Sequence, residues 1–218
     1  MDQDIKQALL NAAQEMERCG LVEGAAGNLS ARLPGGRVVV TPASLEYPGM
    51  QLADLVVTDA RGTVLEGERQ PTTEIALHLA CLNEHPEVGA VLHCHALFAS
   101  MFAVNREPIP CLVEEFDIHV GGDVPIADYR RTGSEELAEE VTRHLGDRGA
   151  MLMANHGLVC VGRNPSDALG VARLVERTAH LVWGARLMGK PATLPDSTRS
   201  HFAGEYARAR KAWKKETP

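Results

Sequence analysis

The chain has 218 residues, of which 44% are hydrophobic and 23% are charged, and this composition is typical of a folded globular domain. Its 22 Lys and Arg residues against 29 Asp and Glu residues give a net charge of −7, which disfavours nucleic acid as a partner. The sequence has no apolar run of the ~18–20 residues that cross a bilayer and no secretory apolar core after its acidic start, so we expect a cytoplasmic protein with no membrane partner.

The first half of the chain is expected to place short strands between two helices. Apolar residues at helical spacing between Asp4 and Cys19 predict the first helix. Small residues over 24–30 predict a turn. The strands expected next are 38–40 and 55–57, with a hairpin turn at 59–62 before 64–65.

The second helix is expected to begin beside a polar cluster, Pro71-Thr72-Thr73-Glu74. Thr72 is the expected N-cap, and Glu74 lies in the first turn, where a carboxylate suits the helix dipole. His78 follows Glu74 by four residues and is therefore in position to pair with it on the helix.

The second half of the chain predicts strands and helices followed by a polar tail. The expected strands are 88–94, 150–154 and 158–161, and the expected helices are 96–103, 134–145 and 166–188. The segment 113–120 stays undecided because its charges argue against full burial. We expect residues 199–218 to form a basic tail that is helical at most and mobile. Since no repeat or linker divides the chain, residues 1–218 are expected to form a single domain with three α/β/α layers.

Two histidines at the end of a predicted strand, His93 and His95, are the strongest chemical signal. Residues i and i+2 of a strand point to the same face, so both imidazoles can converge on one point. The same pair also occurs as two hydrogen-bonded histidines without a metal. His156 follows a second apolar strand, and three imidazoles at strand ends are typical of a catalytic Zn²⁺ site. Co²⁺, Mn²⁺ and Fe²⁺ also suit these ligands.

Glu74 has two interpretations at this stage. It is a carboxylate that complements the helix dipole or, if the helix start faces the metal, a ligand, a general base, or each in turn. Three hydroxyl-rich turns at 27–30, 41–44 and 72–73 offer backbone N–H groups of the kind that bind phosphate, although each alone is more typical of ordinary turn chemistry. None of them matches a nucleotide-binding loop.

In chain order, five elements together resemble the class II aldolase/adducin family: Gly27-Asn28-Leu29-Ser30, Thr41-Pro42, Thr72-Thr73-Glu74, His93-x-His95 and His156-Gly157. The resemblance runs from the first predicted helix to about Met188 with matching spacings, and it does not cover the tail. It implies an α/β fold with a central, mostly antiparallel sheet. It also implies a homotetramer with fourfold (C4) symmetry whose active sites lie between neighbouring subunits.

The resemblance further implies a role for each matching residue. His93, His95 and His156 match the zinc ligands, with one Zn²⁺ per subunit. Glu74 matches the catalytic acid/base, which also binds the zinc when substrate is absent. The positions that match phosphate-binding residues are Gly27, Asn28, Ala43, Ser44, Thr72 and Thr73.

Two segments depart from the family pattern. The phosphate loop, which often has the sequence Thr-Pro-Thr/Ser-Gly, is Thr-Pro-Ala-Ser at 41–44. The tyrosine that acts at the neighbouring subunit's site is missing from 113–116. Glu115, His119 and Tyr129 are the candidates for its role.

The expected function is a zinc-dependent aldolase that reversibly cleaves a small phosphorylated sugar, a ketose, into dihydroxyacetone phosphate and an aldehyde. The metal would withdraw charge from the carbonyl, and Glu74 would move the proton. Two alternatives stay open: a metal-dependent decarboxylase or dehydratase of a sugar-acid or thiosugar phosphate, and a non-catalytic, adducin-like interaction domain. The departures at 113–120 keep the first alternative open, whereas the retained histidines and Glu74 count against the second.

Overall fold

The computed structural model describes residues 1–213, and in them an eight-stranded sheet lies between two groups of helices. The strands are β1 (Asn28–Leu33), β2 (Arg37–Val40), β3 (Val56–Thr58), β4 (Val64–Glu66), β5 (Ala90–Cys94), β6 (Ile126–Ala127), β7 (Ala150–Met153) and β8 (Gly157–Gly162). The helices are α1 (Asp2–Arg18), α2 (Ile75–Glu84), α3 (Leu97–Asn105), α4 (Glu114–Val120), α5 (Glu135–Leu145), α6 (Pro165–Met188) and α7 (Asp196–Ala212). Among the described residues, no helix combines the length and the apolar character that a membrane span needs.

The sheet is mostly antiparallel, as predicted. Its strand order is β4-β3-β2-β1-β5-β8-β7-β6, and of these neighbouring pairs only β6 and β7 run parallel. The strands at its centre are β1, β5 and β8. Strand β5 pairs with both of the others and so brings distant parts of the chain side by side. The ends of these central strands carry the residues singled out by the sequence.

Strand β5 shows how the sheet separates two apolar layers. Ala90, Leu92 and Cys94 belong to the core that includes residues of α1, α3 and α6. Val91 belongs to the opposite core, which includes residues of α2 and α5. Since side chains alternate along a strand, His93 lies on the same face as Val91. The two cores confirm the predicted three-layer α/β/α arrangement.

The turn predicted over 24–30 is wrong for its second half. Residues 28–30 belong to β1, because Asn28 pairs with His93 and Leu29 pairs with Leu92 in the antiparallel ladder with β5. Small side chains are common in turns, but here the ladder with a distant strand decides the conformation. The correction places Asn28 directly beside the first of the two paired histidines.

The predicted start of the second helix is also wrong. The helix α2 begins at Ile75, and Glu74, not Thr72, occupies the N-cap position. The Thr72 hydroxyl oxygen accepts a hydrogen bond from the backbone N–H of Glu74 at 3.3 Å. The Glu74 side chain makes no capping hydrogen bond and is therefore directed elsewhere.

The undecided segment and part of the expected tail pack against each other. The segment 113–120 contains the helix α4, whose C-cap is Gly121 with φ 90°. Helix α7 packs on α4, and its Tyr206 and Arg210 are 4% and 2% exposed. Residues 214–218 of the expected tail lie outside the described residues.

Candidate active site: three histidines and a glutamate

Three imidazoles and one carboxylate meet where β5 ends, β8 begins and α2 begins. The ligand nitrogens of His93, His95 and His156 lie within 4.8 Å of one another. His93 Nε2 is 3.1 Å from His95 Nε2 and 3.2 Å from Glu74 Oε2. His156 Nε2 is 3.4 Å from Glu74 Oε1. The structure thus brings together the four residues expected to bind metal, and we call this set the histidine–glutamate cluster.

A tight hairpin between β7 and β8 delivers His156 to the cluster. Asn155 adopts φ 56°, and the His156 N–H donates to the Met153 carbonyl oxygen at 3.1 Å. A Cβ atom on Gly157 would lie 2.6 Å from the Cys94 carbonyl oxygen and 2.9 Å from His95 Cδ2. Glycine is therefore required at 157, because any side chain there would push the hairpin away from the histidines.

The hydrogen bonding of His93 prepares its Nε2 for a metal. His93 Nδ1 lies 3.0 Å from the Leu158 carbonyl oxygen, so Nδ1–H donates there and Nε2 keeps its lone pair. Burial lowers the pKa of His93 to about 3, although Glu74 opposes the shift. Burial also lowers the pKa values of His95 and His156. At neutral pH the three rings are therefore neutral, which is the form that binds metal.

Glu74 places a carboxylate beside the three imidazole nitrogens. Burial raises the pKa of its carboxyl, but His93, the hydrogen bond from Asn28 and His156 lower it, and the net direction is downward. Its Oε1 is buried and has no hydrogen-bond partner within residues 1–213. A buried carboxylate oxygen without a donor beside three imidazole lone pairs is a set that a divalent cation satisfies. The residues present therefore fit the metal that the sequence predicts.

The family follows from comparison of the whole chain with known proteins. Residues 7–183 match the model of the class II aldolase and adducin N-terminal domain. The chain belongs to this family. The matched range contains every residue of the histidine–glutamate cluster, together with the strands β5 and β8 beside which the three histidines lie.

Curated relatives and solved structures agree with the family. The 5-methylthioribulose-1-phosphate/5-deoxyribulose-1-phosphate aldolase of Rhodospirillum rubrum is 34% identical over 191 residues, which cover 88% of this chain and 86% of that protein. The L-fuculose phosphate aldolase of Escherichia coli strain K12 is 32% identical over 177 residues, which cover 81% of each chain. A solved structure of an L-fuculose 1-phosphate aldolase has a TM-score of 0.89 at 31% identity and covers 93% of this chain and 96% of its own.

These likenesses confirm the predicted class II aldolase family and, within it, the similarity to L-fuculose-1-phosphate aldolases that its motifs indicate. The relatives span nearly the same length as this class II aldolase-family chain, so the comparison concerns the whole domain rather than a fragment of it. The names of these relatives specify different sugar phosphates, so the family alone does not identify the sugar that this chain cleaves.

The three segments expected to bind phosphate lie side by side. The Thr72 N–H donates to the Thr41 carbonyl oxygen at 3.2 Å, and the Ala43 N–H donates to the Gln70 carbonyl oxygen at 3.0 Å. The Leu29 N–H donates to the Thr41 hydroxyl oxygen at 3.1 Å, which joins β1 to the same pair of segments. The N–H groups of Thr72 and Ala43 are therefore occupied within the protein.

The members of this set differ in how open they are to a ligand. Ser44 and Thr73 are exposed, whereas Thr72 and Asn28 are only 4% and 5% exposed. Ser44 also adopts φ 56°, a left-handed conformation that is unusual for a residue with a side chain. The exposed hydroxyls at 44 and 73 are thus the side chains of this set best placed to meet a substrate.

Gly27 is held against the cluster by a residue that the sequence did not single out. Its φ is 73°, and a Cβ atom there would lie 2.7 Å from the His93 carbonyl oxygen. The buried Tyr47 donates its hydroxyl to the Gly27 carbonyl oxygen at 2.6 Å. A lone tyrosine in a loop gives no pattern in the sequence, so only the structure identifies this contact.

Asn28 and His78 have partners that the sequence did not predict. Asn28 Nδ2 donates to Glu74 Oε2 at 2.9 Å, so its amide faces the carboxylate. His78 is fully buried, and its ring nitrogens hydrogen-bond Ser30 and Asn28. The available sequence signal was a polar residue within the apolar run 75–82 of helix α2.

The three candidates for the neighbour's site lie at the surface of this subunit. Glu115 and His119 are on α4, Tyr129 follows β6, and all three are exposed. Glu115 Oε2 is 3.3 Å from Arg177 Nη1, a surface ion pair with α6. Their exposure leaves them available to a second subunit, and their role stays a prediction.

Proposed function

We propose that this chain is a divalent-metal-dependent aldolase, with Zn²⁺ preferred, that reversibly cleaves a ketose 1-phosphate into dihydroxyacetone phosphate and an aldehyde. The observation that carries the proposal is the convergence of three neutral imidazoles on Glu74 in one buried cluster. The relatives reported above are named aldolases of phosphorylated sugars, which supports the substrate class. Cobalt, manganese and iron are the competing metals.

A metal bound by the three imidazoles would supply a Lewis acid that withdraws charge from the substrate carbonyl. The protein's own contribution is the fixed geometry. His93 is 0% exposed and anchored on the Leu158 carbonyl, whereas His95 is exposed and leaves one side open to substrate. Substrate therefore approaches the cluster from the His95 side.

Glu74 is the proposed acid/base. The hydroxymethyl carbon of dihydroxyacetone phosphate loses a proton in condensation and regains one after cleavage. Because the pKa of Glu74 is lowered, its carboxylate is ionised at neutral pH and can accept that proton. One well-positioned acid/base contributes roughly 10²–10⁴ in rate.

The phosphate is proposed to bind at the three adjoining segments that contain Gly27, Ser44 and Thr73. The exposed hydroxyls of Ser44 and Thr73 supply donors, and the left-handed backbone at Gly27 brings its loop against the cluster. Asn28, Ala43 and Thr72 hold these segments in place through the hydrogen bonds described above.

We also propose a homotetramer with fourfold symmetry in which the segment 113–131 reaches the neighbouring site. Several large apolar side chains on α3 and α6 are exposed in the single chain, which favours burial against another subunit. They are Leu97 at 60%, Val104 at 60%, Trp183 at 42% and Leu187 at 72%. Light scattering at micromolar concentration should give four times the subunit mass, and a fully active monomer would refute the tetramer.

Subunit mixing tests whether the site is shared. Inactive Glu74→Gln subunits are mixed with subunits carrying Glu115→Gln, His119→Ala or Tyr129→Phe. If a neighbour supplies one of these residues, hybrids regain activity above that of either parent, because some sites receive both wild-type parts. Absence of recovery for all three would leave the segment with a structural role only.

The remaining expectations for this chain are a single domain over 1–218 and a cytoplasmic location. The one continuous sheet across residues 28–162 supports the first. The five cysteines are free thiols, which supports a reducing compartment. Limited proteolysis and cell fractionation test these two proposals.

The activity assay uses a panel of L-fuculose 1-phosphate, 5-deoxyribulose 1-phosphate, 5-methylthioribulose 1-phosphate and a tetronate phosphate. Release of dihydroxyacetone phosphate is followed by coupled NADH oxidation, and CO₂ is measured in parallel. The proposal predicts dihydroxyacetone phosphate from at least one ketose, its loss on chelation and its return with Zn²⁺. Release of CO₂ alone would favour the decarboxylase, and a protein without metal or turnover would favour the interaction domain.

A further inference from the structure

A series of hydrogen bonds links four buried polar side chains behind the histidine–glutamate cluster. Ser30 Oγ is 2.7 Å from His78 Nδ1, His78 Nε2 is 2.5 Å from Asn28 Oδ1, and Asn28 Nδ2 is 2.9 Å from Glu74 Oε2. Ser30 and His78 are 0% exposed, and Asn28 and Glu74 are 5% exposed. We call this series the Ser30–Glu74 relay.

The chemistry of Glu74 fixes the direction of every hydrogen in the relay. An ionised carboxylate only accepts, so Asn28 must present its NH₂ group to Glu74 and its oxygen to His78. His78 Nε2 must then carry the proton, which leaves Nδ1 to accept from the Ser30 hydroxyl. The opposite orientation of the amide would set its oxygen against the carboxylate. Each side chain of the relay thus determines the orientation of the next.

Packing alone does not explain a histidine at position 78. Cys81 and Leu82, which follow it by three and four residues on the same face of α2, are buried and apolar, so a leucine at 78 would continue that face. A buried imidazole costs free energy unless both nitrogens are satisfied, and here both are. Burial lowers the pKa of His78 to about 4, so the ring stays neutral and keeps one tautomer at neutral pH.

We propose that His78 is a positioning residue: its Nε2–H holds the Asn28 amide with the N–H side toward Glu74, so that the carboxylate keeps one orientation for proton transfer. The inference rests on the proposed aldolase function only for the role of Glu74. His78 acts through Asn28 and touches neither substrate nor metal. Loss of an outer partner of this kind typically lowers activity about 10–100-fold.

Two amide substitutions at position 78 form a matched pair. The amide nitrogen of a glutamine reaches the place of Nε2, so His78→Gln keeps the donor to Asn28. The amide of an asparagine reaches only the place of Nδ1, so His78→Asn keeps Ser30 and loses Asn28. We expect kcat about 10–100-fold lower for His78→Asn and within about 5-fold of wild type for His78→Gln, with KM within about 3-fold for both. Equal kcat in the two variants would overturn the proposal.

A double-mutant cycle separates positioning from plain stability. If His78 acts through Asn28, the His78→Asn change should alter kcat less than about 2-fold in an Asn28→Ala background. The full loss persisting in that background would overturn the proposal. His85→Leu, at the C-terminal end of the same helix, is the control for a lost histidine and should leave kcat within about 2-fold.

A crystal structure of metal-free His78→Asn decides the same point without any substrate. The relay predicts that the distance from Asn28 Nδ2 to Glu74 Oε2, 2.9 Å here, exceeds 3.5 Å or that the amide flips. An unchanged contact would overturn the inference. If no ketose phosphate is cleaved by the wild type, the proposed function fails while this structural measurement still decides the role of His78.

Discussion

The histidine–glutamate cluster and the segment 113–131 differ in how firmly the fold holds them. His93 and Glu74 are 0% and 5% exposed, and their partners come from β1, β8 and α2. Glu115 and Tyr129 lie at the surface, and the ion pair of Glu115 with Arg177 is of the exposed kind that contributes only about 0–1 kcal/mol. One chain therefore brings the proposed metal ligands together by itself, whereas the proposed role of the segment 113–131 requires a second subunit.

Removing one imidazole is the strongest way to break the cluster. We expect His95→Ala to lose most of its bound metal and roughly 10³-fold or more in turnover, because two imidazoles and one carboxylate remain. The measurement is metal per subunit by mass spectrometry together with the aldolase assay. The exposed His201 on α7 provides the control, since His201→Ala should keep wild-type metal content. Full metal content in His95→Ala would contradict the assigned ligand set.

Changing Glu74 separates proton transfer from metal binding. Glu74→Gln keeps the shape of the side chain but cannot carry a proton, so turnover should fall about 10²-fold or more while the fold survives. Initial rates and circular dichroism check the two parts. Near-normal turnover would place the acid/base elsewhere, with the segment 113–131 as the first region to search.

Acid should lower the free energy of unfolding of the metal-free protein. The pKa values of His93 and His78 are lowered to about 3 and about 4, from an unfolded value of about 6.5. The unfolded chain therefore binds more protons between these limits, and stability falls as the pH drops from about 6.5 toward 4. Each histidine contributes at most about 1.4 kcal/mol per pH unit.

Urea unfolding at pH 7, 6 and 5 measures this loss. The His78→Gln variant should lose less stability per pH unit than the wild type, since one shifted group is gone. The two proteins differ only at position 78, so the difference between their slopes isolates His78. An identical pH slope in the two proteins would contradict the neutral, buried ring.

Substitutions at Ser44, in the expected phosphate loop 41–44, should have the smallest effect of these variants. Ser44 adopts φ 56°, and Ser44→Gly should raise the free energy of unfolding by about 0.5–1 kcal/mol by relieving this conformation. Ser44→Ala keeps the backbone cost and removes only the hydroxyl, so its KM reports the phosphate contact. If Ser44→Gly destabilises the protein as much as Ser44→Ala does, the backbone argument fails.

The cluster was predictable because its signals are local. His93 and His95 are two residues apart at a strand end, and His156 follows another buried strand, so period and position predict that the three imidazoles can meet. The place of Glu74 in the cluster followed only from the family resemblance, because its own segment is equally that of a helix start. The mostly antiparallel sheet followed from the family resemblance of the motifs. The helix predicted over 134–145 is observed as α5, and Ser134 caps it by accepting from the Leu137 N–H at 3.2 Å.

The relay and β1 were not predictable, because both depend on pairing between distant segments. Asn28 reaches Glu74 only through the register that sets it opposite His93, and His78 meets Ser30 across 48 positions of the chain. The small residues over 24–30 predict a turn, and the ladder with β5 overrides that preference from Asn28 onward. Threonine is a common N-cap residue, which is why Thr72 was the expected cap. Its hydroxyl accepts from the Glu74 backbone N–H instead, and the helix begins at Ile75.

Anomalous X-ray diffraction at the zinc absorption edge, from crystals of the metal-loaded protein, tests the central claim most directly. The account predicts one strong peak per subunit at about 2.0–2.1 Å from Nε2 of His93, His95 and His156. A peak elsewhere, or three imidazoles without a peak between them in protein that contains stoichiometric zinc, would contradict it.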